Sequence, residues 1–111
     1  MDIKADVLDR FLRYVKIDIQ SDEDSSSYPS TAKQLALLRL LARELEAIGL
    51  SDVTIDEYGY VMATLEATVA KPASVPAIGF LAHVDTSPDV SGADVKPQVV
   101  RHCPVVSQKV G

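Results

Sequence analysis

The sequence contains no tryptophan, a single cysteine and only two histidines among 111 residues. The lone Cys103 has no partner within the chain, which excludes an internal disulfide framework or a multi-cysteine zinc site and fits a reducing compartment. The five glycines are dispersed, so there is no glycine-rich phosphate loop, and no segment repeats. Basic residues are in the minority, 11 against 16 acids for a net charge of −5. That leaves no basic face for a phosphate backbone, and nucleic acid is excluded as a partner. The N-terminal MDIKADVLDRFLRYV has acids in its first residues and no uninterrupted apolar run, and no later run reaches membrane-spanning length. The expectation is a cytoplasmic protein with no membrane partner.

What is present is the composition of a soluble globular protein, 47% apolar and 24% charged, at the length of one modest domain. Ile3, Val7, Leu8, Phe11, Leu12 and Val15 recur at spacings of three to five, which predicts a first helix over 3–15 with one apolar stripe. SDEDSSSYPS follows as a solvated loop, in which Asp22, Glu23 and Asp24 lack the alternating spacing and central glycine of a calcium loop. Thr31 and Gln34 have capping-box spacing for a second helix. Its stripe is Leu35, Leu38, Leu41, Leu45 and Ile48, widened by Leu37 and Leu40, and Gly49 stands where a left-handed terminal residue is wanted. DVTID and YVMATLEA, separated by Glu57–Gly59, read as a hairpin. After the proline-punctuated ATVAKPASVP comes AIGFLAHV, apolar on both alternations, as expected of a central strand covered on both faces.

That run ends in His83 and Asp85. In open α/β sheets, ligands bind beyond the carboxyl ends of strands. Residues i and i+2 of an extended chain point the same way. The spacing therefore allows a carboxylate to hold one imidazole nitrogen while the other is aimed at a metal. The same spacing serves equally for a hydrogen-bonded structural histidine at a strand end, and a three-residue motif does not choose between them. His102 and Cys103, adjacent and followed by a proline, point to opposite faces of an extended chain and are read as an exposed turn rather than a second metal or nucleophile site.

Longer segments discriminate further. PST-x-x-Q at 29–34, LEAIGL at the end of the second helix, YGYVMATLEA and PAIGFLAHVDTSPDVSG, in that order between about residues 6 and 100, resemble the N-terminal part of the peptidase T family, tripeptide aminopeptidases of the M20 group of dinuclear zinc hydrolases. The resemblance implies an α/β fold: the N-terminal part, over 1–100, of a mixed-sheet, zinc-aminopeptidase-like catalytic domain made here of two helices, a hairpin and a central strand. It implies a lid and dimerisation domain elsewhere, and it leaves 101–111 as a divergent tail. His83 takes the role of a zinc ligand and Asp85 that of the group in the catalytic centre that orients it. The implied chemistry is removal of the N-terminal residue of a tripeptide by two zinc ions with a glutamate as general base. The other family ligands, acidic residues and a second histidine, have no counterpart in these 111 residues, so at most one zinc ligand is present and the chain alone is expected to be inactive. H-x-D is common to the M20 group, so another M20 exopeptidase or deacylase, or a non-catalytic remnant acting as an interaction domain, stands as the alternative. Two helices and a hairpin hardly cover a central strand, and exposed apolar surface, self-association through a sheet edge or marginal stability is expected.

Overall fold

The computed structural model describes residues 2–101, so the readings made for His102, Cys103 and the rest of the tail lie outside the described residues. Helix α1 spans Ile3–Tyr14. The Asp2 carboxylate caps it, accepting from the backbone N–H groups of Lys4 at 3.0 Å and Ala5 at 3.3 Å, which satisfies two donors that the first turn leaves free. Pairs one turn apart, Asp6 with Arg10 at 2.9 Å and Asp9 with Arg13 at 3.1 Å, line its polar side. Its apolar stripe is formed as expected but is at most half-covered: α1 has no buried residue.

Helix α2 spans Gln34–Ala47 and ends through Gly49, whose φ of +94° is the left-handed conformation expected there. The expected capping box does not form. Lys33 occupies the cap position without a side-chain cap, because the Thr31 hydroxyl donates instead to the Gln20 carbonyl at 2.8 Å and the Gln34 amide turns to the Ser30 hydroxyl at 3.1 Å. Both groups find partners outside the first turn, so the reciprocal arrangement has nothing left to bond with.

The hairpin is as read. Strands β1 (Ser51–Ile55) and β2 (Val61–Thr64) pair antiparallel, with Ile55 opposite Val61 and an irregularity between Ser51 and Thr54. Asp56 organises the turn, its Oδ1 accepting from Tyr58 N at 3.0 Å and Tyr60 N at 2.8 Å. Helix α2 lies against both strands, and among the described residues the core consists of Leu37 and Leu38 with the satisfied Gln34.

Residues 77–84 depart from expectation. They form no strand and make no backbone hydrogen bond to the other described residues, and Phe80 and Leu81 are 94% and 96% exposed. A strand apolar on both faces needs neighbours on its edges and cover on its faces. Among the described residues α2 is already packed on the hairpin, and nothing covers the run or bonds along its edge. The chain is caught again only beyond this run, where Thr86 pairs in parallel with Gln20.

Candidate metal-ligand site

His83 and Asp85 meet across the extended chain, with Nδ1 2.5 Å from Oδ1. An ionised carboxylate only accepts, so a neutral ring in this contact carries its proton on Nδ1 and turns the Nε2 lone pair outward. The imidazole is 86% exposed and the carboxylate 40%, which makes Nε2 reachable from solvent. The arrangement can offer a single imidazole nitrogen as a donor, with the other nitrogen held by Asp85. That donor suits one position of a zinc site, where imidazole nitrogen is a common ligand. Among the described residues, no group of three or more histidine, cysteine, aspartate or glutamate side chains converges to hold an ion.

The turn after Asp85 is firmly attached. Thr86 N donates to the Ile19 carbonyl at 3.2 Å, and Ser21 donates to the Thr86 carbonyl through both its N–H at 3.0 Å and its hydroxyl at 2.9 Å. Within the turn, Ser87 and Asp89 bond across Pro88, with the hydroxyl donating to Asp89 Oδ2 at 2.9 Å. Residues 18–21 are in turn tied to the start of α2. Lys33 Nζ reaches Asp18 Oδ2 at 2.9 Å, and this contact first, with the N–H of Gln20 second, holds the Asp18 carboxyl below its ordinary range. Sequence reasoning missed Asp18, Gln20 and Lys33, since bonds between such distant positions leave no local pattern.

A cavity of about 420 Å³ among the described residues is a separate feature: an apolar groove lined by Phe11, Ile17, Ile19, Leu37 and Val95 among others. Neither His83 nor Asp85 borders it.

No protein-family model matches the chain. Peptidase T from Clostridium botulinum strain Langeland is 57% identical over 95 residues, covering 86% of this chain and 23% of that protein. Peptidase T from Clostridium acetobutylicum is 57% identical over 97 residues, with 87% and 23% covered. The chain matches the N-terminal portion of peptidase T. It spans about a quarter of the length of these relatives, so the peptidase T likeness extends to the H-x-D segment and its anchoring turn but brings no further metal-binding group into the described residues. Among the described residues, no helix is long and apolar enough to cross a membrane.

Proposed function

We propose that this chain is the N-terminal piece of a zinc-dependent tripeptide aminopeptidase of the peptidase T type, a cytoplasmic enzyme that removes the N-terminal residue of a tripeptide. The observation that supports it most directly is the 2.5 Å contact between His83 and Asp85, which leaves Nε2 open to solvent. In this reading His83 Nε2 is one zinc ligand, and Asp85 fixes the ring's tautomer and direction. Zinc, when bound in a complete two-metal centre, supplies a water of lowered pKa and polarises the scissile carbonyl. The chain's own part is to present one neutral imidazole in one orientation. Catalytic zinc takes three protein ligands with one open position, so the 111 residues alone are expected to leave tripeptides uncleaved.

The test is a chimera in which residues 1–100 replace the matching portion of the C. botulinum relative. The chimera is expected to cleave tripeptides in a chelator-sensitive way. In it, His83→Ala lowers kcat/KM by more than about 100-fold and Asp85→Asn by about 10- to 100-fold, the usual range for a group that orients a metal ligand. Full activity in the His83→Ala chimera would refute the ligand assignment. Exposure of Phe80 and Leu81 favours a second reading, a remnant without chemistry. A folded chimera that cleaves nothing would favour that reading.

A further inference from the structure

Gln20 lies between the two helices, and its carboxamide bonds at both ends. Nε2 donates to the Pro88 carbonyl at 2.7 Å, while Oε1 accepts from Lys33 Nζ at 3.4 Å. Its backbone is fixed as well, the carbonyl accepting from Thr31 Oγ1 at 2.8 Å and the N–H donating to Asp18 Oδ1 at 3.0 Å. The backbone bonds of Ile19 and Ser21 to Thr86 flank it. Since residues 77–84 make no backbone hydrogen bond to the other described residues, the His83–Asp85 pair is located from its downstream side, through the turn Thr86–Pro88. The Gln20 side chain joins this turn to Lys33, the residue at the cap of α2.

We propose that Gln20 is a positioning residue for the His83–Asp85 pair. By holding the Pro88 carbonyl it stops the turn from rotating about the Thr86 bridge, and so sets the direction in which Asp85, one residue before that bridge, grips the ring. The use of this positioning for zinc rests on the function proposed above. The positioning itself does not.

The test is nitrogen NMR of the His83 ring in the full 111-residue chain in alkaline buffer, with His102 assigned separately. It is read beside amide exchange at Thr86 and a titration with zinc alone. Wild type is expected to carry its proton mainly on Nδ1. Asp85→Ala shifts it to Nε2, the form favoured by a free imidazole. Gln20→Ala gives an intermediate ratio, speeds Thr86 exchange about fivefold, as loss of one hydrogen bond does, and moves the zinc midpoint upward by about tenfold. Gln20→Glu keeps the length and the Lys33 contact but turns an acceptor onto the Pro88 carbonyl, and is expected to behave like Gln20→Ala. Leu38→Ala loosens the core away from the turn and is expected to leave the proton ratio unchanged. If both Gln20 variants keep the wild-type ratio and midpoint while Asp85→Ala changes them, the positioning role is overturned and the proposed function survives. If Leu38→Ala shifts the ratio as far as Gln20→Ala, general loosening explains the effect and the role is likewise overturned. If Asp85→Ala changes nothing, the pair is not the ligand device, and both proposals fall.

Discussion

Glu44 ties the two helices together. Its carboxylate accepts from Arg10 at 2.6 Å and also from Arg13 and the Tyr14 hydroxyl, so three side chains of α1 converge on one group of α2. Burial pushes its pKa upward, but the bonds from Tyr14 and Arg13 outweigh that and hold it below its ordinary value of 4.5. The same contacts raise the Arg13 pKa, through Glu44 first and Asp9 second, and burial with the Glu44 bond raises that of Tyr14. Since α1 has no buried residue, this carboxylate is its main attachment to α2. An unattached 12-residue helix is marginal in water. Glu44→Ala is therefore expected to unravel α1, seen as faster amide exchange across 3–14 and a loss of far-UV helical signal, with the hairpin resonances unmoved. A fully protected α1 in that variant would contradict this. Gly59 offers a second check on a single residue. Its φ is +87°, and a Cβ there would come 3.0 Å from Leu38 Cδ1. Gly59→Ala should cost about 1–2 kcal/mol from the left-handed backbone alone, with the crowding of Leu38 added. Denaturant titration measures it.

At the scale of elements, the attachment of α1 depends on pH with a definite sign. The folded pKa of Glu44 lies below 4.5 and that of Asp18 below 3.8. Each contributes its full stabilisation above its ordinary value and loses it as pH falls through the lowered folded value. Helical signal is thus expected to hold from neutral pH down to about 4.5 and to fall in more acid solution. The fall should come at higher pH in concentrated salt, which screens the pairs. A helical signal unchanged to pH 2 would remove Glu44 from this role. The elements also show what a sequence reveals. α1, α2 and the hairpin were legible because their signals are local: a stripe of period 3.6, a glycine at a left-handed terminus, and alternation broken by a turn. The capping box failed because Thr31 had a better acceptor in Gln20, eleven positions away. The strand at 77–84 failed because a strand is a property of its neighbours, and apolarity reveals only that cover is needed. The His83–Asp85 contact was legible, being two positions apart, whereas the Gln20–Pro88 bond joins positions 68 apart.

The described part of the molecule is extended for its size. Its radius of gyration is 18.5 Å, against about 13 Å for a compact chain of this length. It exposes 9544 Å², where a compact monomer of its mass would expose about 6000 Å². With two leucines as the core of the described residues, its unfolding by urea should be shallow, with a slope at or below the low end of the usual range of about 1–3 kcal/mol per molar. The most exposed segment sets how such a chain behaves in solution. Residues 73–82 carry no charge, and 78–81 present isoleucine, phenylalanine and leucine with backbone groups that bond to none of the other described residues, a template for pairing with the same segment of a second copy. Self-association of the isolated chain is expected across the micromolar to millimolar range typical of exposed strands, seen as a rise in weight-average mass by sedimentation. Phe80→Lys places a charge in the centre of the run without touching the Thr86 anchor or the hairpin, and should keep the chain monomeric through the same range. Wild type remaining monomeric at every concentration, or Phe80→Lys assembling equally well, would show that this segment is not the contact. A monomeric Phe80→Lys chain that keeps the wild-type His83 proton position would also separate assembly from ligand presentation, because the first depends on the residues before His83 and the second on the turn that follows it.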